Sequence, residues 1–363
     1  MLEAIPVEWM NLVTLRVTEK KVVQVKERRL AGVGYLGEHR LLLLQGEGDE
    51  EVGRLVIKLP PSHPESLQMV LSYGIFDTEC RFYLHVDELT LPLSCARILP
   101  PIFPQKGDPL DQKMLALPFC PGVGPTFQQG MSREETVQAM KAVAELHSNF
   151  LTLPEAVSRR PHWLTDGNSD PERTIQLFLD CFNSNAIERL DQVWAPCLSP
   201  EERKELYEKY LTRDGVERVV DQTVGKSYQG PRSLCHGDLW SGNLLFEEDS
   251  VTLIDWQFAN FSNPVIDVGL LLCSSTNIDW EEETDIEHFV GYYHQVLSQI
   301  APQGSPWGTW SGCLASFQEA LPYVLLVLCA SIESWMPNAE ETVVGQRYRR
   351  LTKYVVTLDR VPT

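Results

Sequence analysis

Asp238, Asn243 and Asp255 are the side chains in this sequence whose types and spacing carry the most chemistry. The first two lie in Leu234-Cys235-His236-Gly237-Asp238-Leu239-Trp240-Ser241-Gly242-Asn243-Leu244-Leu245-Phe246, and the third in Ile254-Asp255-Trp256-Gln257. Phoshoryl transfer from ATP asks a protein for little covalent chemistry and much positioning: one carboxylate beside the acceptor hydroxyl and hard oxygen ligands for a magnesium ion on the phosphates. A surface loop beside a hairpin also carries acids, but an Asp, an Asn five positions on and an Asp at a strand end is a demanding combination.

Whether the three meet depends on the elements that carry them. Asn243 to Phe246 and Val251 to Ile254 are short strand-like runs separated by the polar Glu247-Glu248-Asp249-Ser250, a hairpin signature. Pairing Phe246 with Val251 across that turn sets Asn243 opposite Ile254 and its side chain close to Asp255. Gly237 and Gly242 flank Asp238 and let the loop turn sharply near a ligand.

The segment His-Gly-Asp-Leu-Trp-x-x-Asn at 236–243, followed by Ile-Asp-Trp-Gln at 254–257, resembles the small-molecule kinases of the choline/aminoglycoside phosphotransferase superfamily. It is most similar to the ecdysteroid-kinase-like (CHK kinase-like) branch, which Leu239-Trp240 favours. The resemblance implies that Asp238 is the catalytic base and that Asn243 and Asp255 hold magnesium. It is tight over residues 234–267 and loose elsewhere.

An ATP kinase also needs a cover over the phosphates and a cation against them. Gly32-Val33-Gly34-Tyr35-Leu36-Gly37 has the Gly-x-Gly-x-x-Gly form, weak evidence alone. Extended runs at Val22 to Leu30 and His39 to Gln45 make it a glycine-rich hairpin and not a Rossmann turn, so Gly32, Gly34 and Gly37 are candidate nucleotide-binding residues. Lys58 ends Leu55-Val56-Ile57, which reads as a buried strand. Further on, Glu79 stands beside Phe76, Cys80 and Tyr83 at helical spacing, where it can pair with Lys58 and hold the ammonium against the phosphates. The Phe-x-x-Glu-x-x-Phe-Tyr pattern and the strand lysine belong to the same resemblance. One departure is that Met114 to Gly122 lacks the acidic pair such relatives usually carry, and Pro118 removes a backbone donor. GTP therefore stands beside ATP as a candidate nucleotide.

Composition fits this reading. A length of 363 residues suggests two domains, expected at 1–118 for a nucleotide-binding lobe and 119–363 for a catalytic and substrate-binding lobe. A net charge of −19 argues against nucleic acid as a partner yet permits MgATP, whose phosphates are neutralised locally. Nine cysteines without a Cys-x-x-Cys read as free thiols in a reducing, cytoplasmic setting. Met1 to Glu8 shows no secretory signal, and the longest apolar run, Ala320 to Ile332, is short for a membrane span and reads as a buried helix.

Other residues define supporting elements. Ser132 with Glu135 reads as a capping box opening a helix that ends near His147, a packing residue, and Ser199-Pro200 opens another helix. Cys235 reads as core and His236 as a brace, since neighbours on a strand face opposite ways. Asp267, in an apolar run, needs partners; the resemblance implies that it braces the catalytic loop through backbone hydrogen bonds. Glu281 to Asp285 reads as a solvated face, with attraction of a cationic acceptor as the sharper alternative. Trp280, Trp307, Trp310 and Trp335 read as core, with an apolar acceptor cavity as the alternative.

The expected fold is α+β and kinase-like: a small N-terminal lobe with an antiparallel sheet and a larger, mostly helical C-terminal lobe, with ATP between them. The expected activity is ATP- and Mg2+-dependent phosphorylation of a hydroxyl on a small molecule, sterol-like or amino-alcohol-like. A catalytically silent nucleotide-binding scaffold on the same fold is the alternative. A protein kinase is disfavoured because Asn263-Pro264 follows Asp255 too soon for an activation segment.

Overall fold

Burial along Glu51–Leu59 places Leu55 and Ile57 on one buried face, with Lys58 turned the opposite way. This strand, β3, is central to a four-stranded antiparallel sheet in the order β1-β2-β3-β4, with β1 at Gln24–Arg29, β2 at Glu38–Gln45 and β4 at Leu115–Pro118. In this computed structural model the described residues are 24–29, 38–85, 115–120, 122–151, 160–164, 170–248, 250–277, 283–301, 304–335 and 343–360. The chain divides into two units: Met1–Thr90 with Cys95–Pro121, and Leu91–Ser94 with Gly122–Thr363. The division thus falls three residues beyond the expected 118/119 boundary.

Within the first unit the two extended runs expected around the glycine motif pair in register, Gln24 opposite Gln45 and Arg29 opposite Arg40. Gly32, Gly34 and Gly37 lie outside the described residues. Helix α1 (Pro64–Ser72) starts with proline in its first turn, where the missing N–H costs nothing, and Gly74 in the left-handed region turns the chain into α2 (Ile75–Leu84). Phe76, Cys80 and Tyr83 are buried on α2, as their spacing predicts. Pro118 sits on the edge strand β4, the place in a sheet that tolerates proline.

The second unit is mostly helical: α3 (Arg133–Phe150), α4 (Pro171–Cys181), α5 (Ser184–Trp194), α6 (Pro200–Leu206), α7 (Arg213–Thr223), α8 (Val265–Ser275), α9 (Glu283–Ile300), α10 (Trp310–Ala330), α11 (Ile332–Trp335) and α12 (Val343–Arg360). The expected capping box is formed, Ser132 with Glu135 opening α3; Ser199 caps α6 with Pro200 following at once, as expected, and the structure adds a second capping box there with Glu202. Helix α8 is buried along its whole length and packs on α10. The apolar run placed at Ala320 to Ile332 begins earlier than expected: α10 has 21 residues, enough by length and composition to cross a membrane. Length is therefore no argument against a span. Burial of Phe317, Leu321, Val324, Leu325 and Leu328 is what makes α10 a core helix here.

Four short strands carry the site. Strand β5 (Ser233–Cys235) pairs antiparallel with β8 (Asn260–Ser262), and β6 (Leu244–Phe246) with β7 (Val251–Leu253).

Candidate active site

Strand β5 delivers the chain to a buried His236, and Gly237 then turns it at φ +80°. A Cβ at 237 would run into the carbonyl oxygen of Phe258, so glycine is needed twice, for its backbone angle and for its lack of a side chain. The turn is fixed from behind by Asp267 on α8. Its carboxylate accepts the His236 N–H at 2.6 Å on one oxygen and the Gly237 N–H at 2.9 Å on the other. His147 on α3, itself bonded to the Tyr293 hydroxyl at 2.9 Å, completes the set with Nε2 at 3.3 Å from Asp267. Burial would raise the pKa of Asp267, but the hydrogen bonds from His147 and the Gly237 amide outweigh it and hold the carboxyl below its ordinary value.

The His236 ring ties two parts of the site together. Its Nε2 lies 2.8 Å from the carbonyl oxygen of Ile254, which can only accept, so Nε2 carries the proton. Its Nδ1 then accepts the Asp238 N–H at 3.3 Å. One neutral imidazole thus bridges the Asp238 backbone and the residue preceding Asp255.

The hairpin has the expected register, Phe246 opposite Val251, and Ile254 N–H donates to the Asn243 carbonyl at 3.0 Å. Asn243 is set by a short turn, Ser241–Asn243, in which its own N–H returns to the Trp240 carbonyl at 2.9 Å. Its Nδ2 donates to the Asp238 carbonyl at 2.7 Å and approaches the Asp238 carboxylate at 3.4 Å. With the amide nitrogen so committed, Oδ1 is the atom of Asn243 that can serve a cation. Gln257 Nε2 stands 3.5 Å from the same Asp238 oxygen, a contact that the sequence reading missed. Asp255 is the only non-glycine with φ in the left-handed region among the described residues, at +66°. A carboxylate residue held there at a strand end is backbone strain of the kind that collects at functional sites.

In the first unit, Lys58 Nζ donates to Glu79 Oε2 at 2.6 Å, and the side chains are only 3 % and 1 % exposed. Such a pair keeps a lysine charged and pointed while withholding it from water.

The remaining candidates are placed less directly. Cys235 is core, and burial followed by the Asp267 charge pushes its thiol well above the ordinary value. His147, Cys235 and Asp267 offer atoms within 4.8 Å of one another, but the carboxylate oxygens are already engaged and the thiol is held protonated, so they form a hydrogen-bonded core. Asp285 pairs with Arg133 at 2.6 Å, which weakens the acidic-rim reading; Glu281, Glu282 and the Glu283 side chain lie outside the described residues, as do Trp280 and the Trp335 side chain. Trp307 and Trp310 pack against Tyr293 and His294. The eight described cysteines are free thiols.

A model of the ecdysteroid kinase-like family matches residues 126–303, a span that includes Asp238, Asn243, Asp255 and Asp267. No curated protein sequence matches the chain. Among solved structures, a choline kinase from Cryptosporidium parvum Iowa II superposes with a TM-score of 0.57 at 14% identity, covering 98% of this chain and 96% of that one. A spectinomycin phosphotransferase in complex with ADP and spectinomycin gives 0.52 at 11%, covering 98% of each chain. An ethanolamine kinase of Plasmodium vivax gives 0.50 at 12%, covering 94% of this chain and 84% of that one. At these identities the likeness shows the fold, which is the α+β, two-lobed, kinase-like fold that the sequence reading expects.

Proposed function

We infer, on the premise that residues 126–303 match the ecdysteroid kinase-like family, that this chain is a kinase transferring the γ-phosphoryl group of ATP to a hydroxyl of a small molecule. The observation that carries the reading is that His236 bridges the Asp238 backbone to Ile254, the residue before Asp255, while Asn243 bonds the Asp238 carbonyl and opens the β6–β7 hairpin. Random acidic loops have no reason to share a brace.

In this reading Asp238 accepts the proton of the acceptor hydroxyl as its oxygen attacks the γ-phosphorus. The new O–P bond forms while the bond from that phosphorus to the β–γ bridging oxygen breaks, and ADP leaves with the electron pair. Asn243, through Oδ1, and Asp255 are the residues suited to hold magnesium, which supplies charge neutralisation on the phosphates when bound. Their hard oxygen donors fit that ion. Lys58, held by Glu79, suits the phosphates of the nucleotide, and Gly32, Gly34 and Gly37 would cover them. The ADP in the spectinomycin phosphotransferase complex supports nucleotide use by this fold.

The acceptor is defined by its hydroxyl. Neither the amino-alcohol nor the sterol version gains from the structure, because Asp285 is paired and the described tryptophans are packed. Free cysteines support a reducing, cytoplasmic setting.

Thermal unfolding with ATP alone, MgATP and MgGTP tests the reading. A nucleotide at about a hundredfold its dissociation constant stabilises by roughly 2.7 kcal/mol, and a magnesium-dependent shift is expected. Screening of hydroxylated small molecules for phosphate transfer follows. No shift with either nucleotide overturns the kinase and favours the silent scaffold.

A further inference from the structure

Arg347 on α12 is a buried cation that the site described above does not use; only 2 % of its surface is exposed. Its guanidinium donates from Nη1 to the carbonyls of Phe127 at 2.6 Å and Ser274 at 2.8 Å, from Nε to Asn277 Oδ1 at 3.1 Å, and from Nη2 to the Gln128 carbonyl at 3.5 Å. All four acceptors are neutral oxygens. Burial, reinforced by Arg350, lowers its pKa to about 10, so the group stays charged at neutral pH, and among the described residues no carboxylate is bonded to it. Lone buried cations are expensive, and an apolar side chain would fill the same volume without that cost. What a methionine or leucine lacks is the planar fork, which reads several oxygens from two segments at once. The negative end of the α8 dipole, at Ser274, offsets part of the cost.

Those two segments are the ones that hold the Asp238 loop. Ser275, at the end of α8, accepts the Ser241 N–H on its hydroxyl at 2.7 Å and the Met131 N–H on its carbonyl at 2.7 Å. Phe127 lies under the guanidinium, with 5.8 Å from Cζ to the ring centroid, and stands edge-on to Trp240 at 5.3 Å. At the other end of the same stretch Val123 exchanges backbone hydrogen bonds with Phe246 on the catalytic hairpin, at 3.1 and 3.2 Å. Gly130, at φ +70°, has no room for a Cβ, which would meet Arg347 Nη2 and the Ser275 carbonyl. Residues 122–131 therefore run from the hairpin past Trp240 to Arg347.

We propose that Arg347 is a positioning residue for the transfer step: by locking residues 127–128 to the end of α8, it sets the Trp240–Asn243 turn, and through it the Asp238–Asn243 pair. The proposal rests on the kinase reading. It acts on the geometry of the reacting groups and leaves nucleotide contacts alone, so it predicts a selective effect on turnover.

The test uses full-length Arg347→Met and Arg347→Lys, with consumption of MgATP, water serving as acceptor, as the activity. The expected result is a kcat at least tenfold lower in both variants, with KM for MgATP within about threefold of the parent, because lysine restores the charge but not the fork. A purely structural role would instead lower activity in step with the folded fraction, which urea titration measures on the same samples. A folded Arg347→Met with parental kcat, or full recovery in Arg347→Lys, overturns the proposal. Should Arg347→Met not fold, Ser275→Ala removes only the hydroxyl that accepts from Ser241; a lower kcat at unchanged KM supports the assignment and parental kcat overturns it. A second readout is independent of activity: the Trp240 emission, taken as the difference between each protein and its Trp240→Phe partner, should shift in Arg347→Met or Ser275→Ala. An unchanged Trp240 spectrum overturns the positioning role, whereas a parent protein that neither binds nor consumes MgATP while Trp240 shifts overturns the kinase reading alone.

Discussion

His236 donates from Nε2 to the carbonyl of Ile254 at 2.8 Å while its Nδ1 accepts the Asp238 N–H. A single side chain thereby fixes the spacing between the proposed base and the strand end that presents Asp255. His236→Ala should leave both backbone groups without their partner, costing roughly 1–3 kcal/mol. Turnover should fall by at least tenfold in the fraction that stays folded. Urea unfolding and single-turnover kinetics on one preparation check both numbers.

Asp255 combines a role as proposed ligand with a strained backbone, and the two can be separated. In Asp255→Asn the left-handed φ is kept and the charge is lost, so the magnesium-dependent part of the MgATP stabilisation should vanish. Asp255→Gly should lose that response too, yet be at least as stable as the parent without nucleotide, because glycine adopts φ near +66° without the side-chain penalty. Differential scanning calorimetry with and without Mg2+ reads both effects; a retained magnesium response in Asp255→Asn would remove it from the metal set.

The depressed pKa of Asp267 makes part of the stability depend on pH in one direction. Its folded value lies below the ordinary 3.8, so between the two the unfolded chain binds more protons than the folded one. The contribution is complete above about pH 4 and is lost as pH falls through the folded value. Asp267→Asn should flatten that acid limb and also turn an amide N–H2 towards the His236 and Gly237 amides, at a cost of a few kcal/mol. Unfolding free energy measured between pH 2.5 and 6 tests the slope, and an acid limb of the same steepness in Asp267→Asn would contradict the assignment.

Lys58 and Glu79 should behave as a pair. Lys58→Met leaves a buried glutamate without its cation and should cost about 3–5 kcal/mol. The double variant Lys58→Met, Glu79→Met should recover much of that stability, since a buried ion pair is often replaceable by apolar residues. It should not recover ATP consumption, because the cation is what the phosphates require. A double-mutant cycle on stability, run beside an ATPase assay, separates the two outcomes.

Much of the site was legible in the sequence because its signals are local. The Asn243 to Ile254 register follows from two apolar runs and a polar turn; Glu79 faces Lys58 because α2 repeats with helical period beside a strand of period two; the Ser132–Glu135 capping box needs only four residues. Asp267 was readable as a buried acid needing partners, but its two amide donors were available only from family resemblance.

Local pattern fails where one conformation or one contact is imposed by the whole fold. The left-handed φ of Asp255 has no signature, since aspartate is common in ordinary backbone. Gln257 beside Asp238 and the two-sided bonding of His236 depend on how two loops approach each other. The extension of α10 to 21 residues, past the apolar run that marks it, reflects packing that carries helix into less apolar sequence. Arg347 is the extreme case. Three of its four acceptors are main-chain carbonyls, up to 220 positions away, and a carbonyl oxygen is present at every residue, so nothing in the chain marks which ones an arginine will find. The sequence by itself determined which groups are available for phosphoryl transfer and the short elements that carry them, because those follow from neighbours along the chain. The tertiary structure decided which backbone oxygens and amides hold those groups still, because that choice is made by segments brought together only after the core has packed.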